Sequence, residues 1–166
     1  MRQIFVVACL ICLISACDKN EAGPLRKFIS LRLDGQVIIS ENPTATLTAP
    51  NLTDSDPNND FPTLKITGAG GKGEVLSFTL ISETMPFKQG TYQSTQQGNG
   101  MSIAYNDSAY TLIADNNNGY LDFNLITVQD SLIEGKFTGL VEDTTGTISI
   151  RPVTDGYLRA IIKSSN

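Results

Sequence analysis

Short runs of alternating hydrophobicity are the feature that most constrains how this chain folds. Over residues 29–33, 76–80 and 121–125, an apolar side chain occupies every second position and a polar one lies between. Because successive side chains of a β-strand point to opposite faces, this period of two gathers the apolar groups on one face of a sheet. No window of about 11 residues has the period and caps of an amphipathic helix. The sequence therefore predicts an all-β domain, an antiparallel sandwich or barrel of roughly ten short strands.

Turn-forming residues separate the runs and predict where the strands end. Asp34-Gly35 lies between two apolar runs and predicts a two-residue hairpin, because both residues accept the positive φ angles of a type I′ turn. Near the C-terminus, the Pro, Asp and Gly of residues 152–156 predict a turn between strands at 147–151 and 157–163.

Two glycines occupy apolar positions of another alternating run. Gly135 and Gly139 stand where residues 133–141 place their inward side chains. A glycine inside a strand marks a close approach of another backbone or strong coiling of the sheet. We therefore expect one of these features here, and no break in the strand.

The first residues of the chain have the layout of a secretory signal peptide. Arg2 precedes an apolar run over residues 4–14, and two small residues then lead to Cys17. That run is shorter than the ~17–25 residues that a membrane-spanning helix needs. The sequence therefore predicts a cleaved leader over residues 1–16.

The rest of the chain predicts a tether and one domain. Residues 17–26 are polar, contain Gly and Pro, and predict a flexible tether that starts at a lipidated cysteine. Residues 27–166 are long enough for one domain with a hydrophobic core, and too short for two. Cys9 and Cys12 fall inside the apolar leader, so we interpret their C-x-x-C spacing as apolar filling and not as a metal or redox site.

Several motifs carry a resemblance to a known class of proteins. Ile14-Ser15-Ala16-Cys17 resembles a bacterial lipobox, whose cysteine is lipidated and becomes the new N-terminus. With four further segments it makes the chain similar to small bacteroidete-type lipoproteins, whose single β domain belongs to a family of unknown function. These segments are Leu33-Asp34-Gly35-Gln36, Gly90-Thr91-Tyr92, residues 133–139 and residues 148–162. The resemblance implies that Cys17 carries palmitate and other acyl chains. It also implies a place in the cell envelope, in the outer membrane, with the domain in the periplasm or on the surface.

Composition narrows the classes of function. Acidic residues outnumber basic ones by 17 to 12, and the formal net charge is −5. This balance argues against nucleic-acid binding, which needs a basic face. The chain has no histidine, which is the commonest general base and the commonest metal ligand. We therefore expect a protein that is not an enzyme and that holds no cofactor.

One polar loop is a candidate calcium site. Oxygen-bearing side chains alternate along it: Asp54, Asp56, Asn58 and Asp60. Calcium prefers such ligands, but Asn59 and Lys65 stand where an EF-hand loop has its glycine and its bidentate glutamate. Asx turns in a solvated loop explain the same residues, so both interpretations stay open.

Three tyrosines are a candidate ligand surface. Tyr105, Tyr110 and Tyr120 lie near turns rich in amide side chains. Tyrosine combines an aromatic face with a polar hydroxyl, which suits it to bind glycans or extended peptides. The same residue types also occur at sheet edges and turns without any ligand.

These observations favour a non-catalytic binding or interaction module that Cys17 anchors to the membrane, with a glycan, a peptide or an envelope protein as partner. One alternative is a lipocalin-like barrel that carries a small apolar ligand. Its cavity would be lined by Phe78, Leu80, Phe123, Leu125 and Phe137. Another is a carboxylate-based hydrolase. Asp122 and Glu134 could be cross-strand neighbours, but both lie at polar positions of alternating runs, which is typical of a solvated face.

Overall fold

The computed structural model describes residues 25–105, 111–144 and 149–164, and it confirms the all-β prediction with eleven strands. A 3-10 turn at Pro57–Asn59 is the one helical segment in these ranges. In chain order the strands are β1 Phe28–Leu33, β2 Gln36–Glu41, β3 Thr44–Thr48, β4 Thr63–Ala69, β5 Glu74–Ile81, β6 Gly90–Gln93, β7 Gly100–Tyr105, β8 Thr111–Ala114, β9 Tyr120–Gln129, β10 Leu132–Asp143 and β11 Ile150–Ser164. None of the described residues belongs to a helix that is long and apolar enough to cross a bilayer.

Hydrogen bonds join all eleven strands in the order β2-β1-β11-β3-β4-β5-β7-β8-β10-β9-β6. Because β10 also pairs with β11, the seven strands from β11 through β3 to β10 form a closed circuit. Strands β1 and β2 extend from one side of this circuit, and β9 and β6 extend from the other. The two ends of the order, β2 and β6, each have one edge without a neighbouring strand among the described residues, although Ser40 of β2 forms an isolated antiparallel bridge with Gly70.

The two longest strands close the circuit because each changes neighbour along its length. Along one of its edges, β11 first pairs antiparallel with β1 and then, from Ile162 to Ser164, pairs parallel with β3. On one side β10 pairs with β9 and then, at Glu142 and Asp143, pairs with β8. All other pairings are antiparallel, so the antiparallel character that the sequence predicts holds everywhere except at this corner.

The hairpin between β1 and β2 has the predicted turn. Asp34 has a φ of 51° and Gly35 a φ of 78°, and the flanking residues Leu33 and Gln36 pair directly. Both central residues therefore have the positive φ that type I′ geometry requires.

Residues 152–156 form a bulge, so the prediction of a turn there was wrong. Ile150–Ser164 is one strand, although its register with β10 shifts beside this segment and Asp155 has a φ of 52°. The described parts of the predicted strands 147–151 and 157–163 therefore belong to one strand. Residues 147 and 148 lie outside the described ranges. Pairing with β1 and β10 continues on both sides of the kink and holds the strand together, while the bulge absorbs the turn-forming residues.

The core is centred on three phenylalanine rings. The Phe78 ring lies edge-on to those of Phe137 and Phe123, with centroid distances of 4.8 and 5.7 Å. Phe123 and Phe137 stack at 5.7 Å with an interplanar angle of 5°. Each such pair adds about 0.5–1.5 kcal/mol to the stabilisation from apolar burial. These rings belong to β5, β9 and β10, so they join strands on opposite sides of the domain.

The prediction for the two glycines of β10 is confirmed. A Cβ at Gly135 would lie 2.7 Å from Cζ of Phe123, and one at Gly139 would meet the backbone of Tyr120 and Leu121. The register with β9 also shifts beside Gly135. Close approach therefore occurs at both glycines, and a register irregularity accompanies it at Gly135.

Candidate functional site

A groove of about 870 Å³ lies where β6 faces the end of β5. Its lining comes from residues 81–84, residues 88–92, the side chains at 96, 97 and 99, and Phe61. β5 pairs with β4 and β7, whereas β6 pairs with β9, so these two consecutive strands are not hydrogen-bonded to each other. It is larger than a second depression, described below, beside β11.

Tyr92 lines the groove, and the ring of Phe87 packs against it. Both side chains are buried, and their rings stack with centroids 5.2 Å apart. The Tyr92 hydroxyl donates a hydrogen bond of 2.8 Å to the carbonyl of Lys88. Burial raises the pKa of Tyr92, so the hydroxyl stays protonated and keeps donating at neutral pH. The segment before β6 is thereby held to the strand.

The side-chain amide of Asn99 bridges the two strands beside the groove. Its Oδ1 accepts a hydrogen bond of 2.7 Å from the backbone N–H of Ile81. Its Nδ2 donates to the carbonyl of Gln93 at 3.1 Å and to Oε1 of Gln96 at 3.0 Å. Asn99 is only 1 % exposed, so these bonds are shielded from water. A fully satisfied buried amide of this kind fixes the geometry around it.

The rim of the groove is polar, with one aromatic ring. Amide side chains at positions 89, 96 and 97 are exposed, and the Phe61 side chain is 46 % exposed. Glu83 and Lys88 add one charge of each sign, so the rim has no net charge. Such a surface suits an uncharged ligand that has both hydrogen-bonding groups and an apolar face.

The groove has no arrangement typical of hydrolysis. Among its described lining residues, Glu83 is the one carboxylate, whereas a two-carboxylate mechanism needs a facing pair. The proposed neighbours Asp122 and Glu134 do not pair, since Asp122 lies opposite Thr138 and Glu134 lies opposite Thr127. The prediction that these two residues could be cross-strand neighbours was therefore wrong.

A smaller depression of about 270 Å³ lies on the outer face beside the β11 bulge, and two carboxylates line it. Asp122 accepts a hydrogen bond of 3.3 Å from the Tyr120 hydroxyl. Asp155 forms an ion pair of 3.0 Å with Arg32. Both carboxylates therefore already have partners on the protein, and Lys136 lies in the same depression.

The structure does not bring the described tyrosines together. Tyr105 ends β7 and lies opposite Glu74, whereas Tyr120 begins β9 and lies opposite Leu140. The two positions are next to opposite ends of β8. Tyr110 lies outside the described residues, so the predicted three-tyrosine surface stays a prediction.

In the loop from 51 to 60, the carboxylate of Asp54 organises the turn. Its Oδ2 accepts hydrogen bonds from the side-chain amides of Asn51 and Asn59, and its Oδ1 accepts one of 3.0 Å from the N–H of Asp56. These contacts are the Asx turns of the second interpretation. Within the described residues no group of three or more His, Cys, Asp or Glu is placed to hold a metal ion. The side chain of Asn58 is outside the description, and a calcium site stays a prediction.

The side chains proposed for a lipocalin-like cavity lie inside the domain. Phe78, Leu80, Phe123, Leu125 and Phe137 are all at most 2 % exposed. The three rings contact one another where that cavity would lie. This packing favours a filled interior, and the large groove lies elsewhere.

Sequence reasoning did not identify the groove residues. Residues 96–100 have the composition of an ordinary turn, and Asn99 between two glycines has no local sign of its role. The one available signal is the cluster of glutamines at 93, 96 and 97, which is unusual beside a short strand.

Comparison with known proteins gives no relative: no protein-family model, curated protein or solved structure matches this chain at a significant level.

Proposed function

We propose that this protein is a non-catalytic binding module of the cell envelope, anchored by lipid at Cys17, and that it binds its ligand in the groove beside β6. The observation that carries the proposal is the groove itself, because its base is built from buried, hydrogen-bonded side chains. Preformed concave sites with a few fixed polar groups are the usual form of a binding site.

The chemistry of the rim supports binding without catalysis. The groove offers amides, hydroxyl groups and one exposed ring, and its one described carboxylate has no second acid beside it. These groups donate and accept hydrogen bonds and stack, which supports a role in binding. A glycan, a peptide or a segment of another envelope protein has the matching groups.

The anchor agrees with a role at a membrane surface. The first strand begins at Phe28, and the residues between Cys17 and this strand would span at most ~35 Å if fully extended. A domain on such a tether samples the space just beyond the lipid headgroups. Binding of a ligand fixed in the envelope would then be helped by proximity.

The proposal is tested by blocking the groove. The full chain is screened against a panel of soluble oligosaccharides and against a phage-displayed library of random heptapeptides. Gln97→Trp places a large ring at the rim and should weaken any genuine binder by about tenfold or more, which corresponds to ~1.4 kcal/mol. Gln36→Trp makes the same change at the far edge strand β2 and should leave affinity unchanged. Equal binding by the wild type and Gln97→Trp, or no binder in either panel, would contradict the proposal.

A further inference from the structure

The free edge of β6 presents unpaired backbone groups beside the groove. The N–H of Ser94 donates to the carbonyl of Leu121 at 3.0 Å, directly across from it in the register with β9. In an antiparallel pair such bonded positions alternate with positions whose N–H and C=O point the other way. Tyr92 therefore faces β9 with its backbone groups, and those of Thr91 and Gln93 face away from it.

Two contacts agree with this alternation. The carbonyl of Gln93 accepts hydrogen bonds from Nδ2 of Asn99 and from the N–H of Gln96, both on the side away from β9. No described residue bonds to the N–H or C=O of Thr91, which lines the groove. The backbone carbonyl of Gln93 is therefore already hydrogen-bonded, whereas the N–H and C=O of Thr91 are open to pair with another chain.

The amide of Asn99 shows how wide the gap is. It accepts from Ile81 at the end of β5 and donates to Gln93 at the end of β6, as the peptide group of an intervening strand would. One amide therefore spans the distance between the two strands. Neighbouring strands lie ~4.8 Å apart, so at the level of Gln93 and Ile81 the gap has about the width of one extended chain.

We infer that the groove takes an extended peptide segment, which lies beside β6 and pairs with the N–H and C=O of Thr91 as an added strand. This inference rests on the proposed function and names the ligand class. Main-chain hydrogen bonds supply affinity in this mode of recognition, and side-chain pockets supply specificity. The charges of Glu83 and Lys88 cancel, so the segment is expected to carry no net charge. Because the Phe61 ring is exposed, the segment directs an apolar side chain at this ring.

The decisive variant is Thr91→Pro, which removes the outward N–H and leaves the β6–β9 hydrogen bonds in place. A peptide selected from the heptapeptide library is synthesised with capped ends, and its dissociation constant is measured by calorimetry on the full chain. Loss of one main-chain hydrogen bond should weaken binding about fivefold to tenfold. Val37→Pro is the matched control, because Val37 has its backbone N–H on the free edge of β2. Its affinity for the peptide should equal that of the wild type.

A second measurement leaves the protein unchanged. The same peptide is made with methyl groups on alternate backbone nitrogens, in the two possible phases, and titrated into the wild-type chain. One phase should bind at least about fivefold more weakly, because only one set of N–H groups faces β6. This result does not depend on how well Thr91→Pro folds.

Failure of the inference is distinguishable from failure of the proposed function. If Gln97→Trp abolishes binding but Thr91→Pro and both methylated peptides bind as tightly as their parents, the groove is the site and strand addition is wrong. Oligosaccharides as the sole binders would overturn the inference in the same way. A dimer of the chain that Thr91→Pro dissociates would show that a second copy occupies the edge, which also contradicts a separate peptide. If nothing binds in the groove, both are wrong.

Discussion

At the scale of single residues, the stacked rings of Phe123 and Phe137 depend on two glycines. A Cβ at Gly135 would lie 2.7 Å from Cζ of Phe123 and 3.1 Å from the carbonyl oxygen of Asn124. A Cβ at Gly156 would lie 2.6 Å from Cε2 of Phe137. Each ring thus lies against a bare backbone, and this is how two large side chains fit between curved strands.

Gly135→Ala should therefore be clearly destabilising. The methyl group has to displace a ring that packs against another ring, and overpacking of this kind costs about 1–3 kcal/mol. The free energy of unfolding from urea titration is the measurement. Gly71→Ala is the control, because Gly71 has a negative φ and nothing within 4 Å of its added Cβ. That variant should stay within about 0.5 kcal/mol of the wild type, and equal stability of both variants would contradict the argument.

Some residue roles were predictable from the sequence and others were not. Gly135 was identifiable because it breaks an otherwise regular alternation of apolar residues. Asn99 was not, since its bonds to Ile81 and Gln93 join strands that are brought together only by the whole fold. Local patterns predict what a residue does to its own strand, and they do not reveal a bond that bridges two others.

At the scale of elements, two hairpins use the same backbone shape with different residues. The β1–β2 turn has Gly35 at its second position, with a φ of 78°. The β9–β10 turn has Asp130 and Ser131 at φ values of 46° and 74°. A serine with positive φ is sterically unfavourable, whereas glycine is not. The first turn was therefore predictable from its Asp-Gly pair, and the second has no such signal.

Reciprocal substitutions in these turns should change stability in opposite directions. Gly35→Ser introduces a side chain at positive φ and should cost about 1–2 kcal/mol, although an added Cβ meets nothing within 4 Å. Ser131→Gly removes the same strain and should stabilise by about 0.5–1 kcal/mol after the entropy cost of glycine. Urea unfolding of both variants tests this. A change of the same sign in both would show that backbone strain does not decide their stability.

The ion pair between Glu134 of β10 and Arg159 of β11 should make the free energy of unfolding depend on pH in the acid range. Glu134 accepts hydrogen bonds from Arg159 and from the hydroxyl of Thr127. Burial raises the pKa of Glu134, but these hydrogen bonds lower it more, so the net shift is downward. A lowered pKa in the folded state means that the stabilisation is full above the unfolded value, ~4.3, and is lost as pH falls through the folded value.

Glu134→Gln should therefore cost more stability at pH ~7 than at pH ~3. The difference should be about 1 kcal/mol or less, because both side chains are partly exposed. Urea unfolding at the two pH values gives the four free energies needed. Thr127→Val, which removes only one of the hydrogen bonds, should give a smaller difference of the same sign. An identical pH dependence in wild type and Glu134→Gln would show that the ion pair contributes nothing.

The existence of the strands was predictable from the alternation of apolar residues, but one strand boundary was not. The proline, aspartate and glycine within residues 152–156 suit both a turn and a bulge. Partners on both sides decide between the two, and those partners are β1 and β10, far away in the chain. Ile150–Ser164 is therefore one strand for reasons that no local window contains.

At the scale of the whole molecule, the closed circuit of strands determines where the proposed binding groove lies. Closure depends on β11 reaching β3 and on β10 reaching β8, and neither pairing joins strands that are adjacent in the chain. The short strand β6 is left outside the circuit, with β9 as its one described neighbour. Its free edge and the groove are thus consequences of topology, which the sequence predicted only as a sandwich or barrel.

The proposed anchor also belongs to this scale, and it predicts that membrane association depends on Cys17 alone. In a Gram-negative host, the wild-type chain should sediment with the membrane fraction, and mass spectrometry of its N-terminal peptide should show a diacylated or triacylated cysteine. Each acyl CH₂ buried in the bilayer contributes about 0.8 kcal/mol, so several chains hold the protein firmly. Cys17→Ser should leave the protein without acyl groups and move it from the membrane fraction to the supernatant. Cys12→Ser is the matched control, because residue 12 falls within the predicted leader and is removed with it. If Cys17→Ser stays acylated, or if Cys12→Ser loses the anchor as well, the lipid does not reside at Cys17.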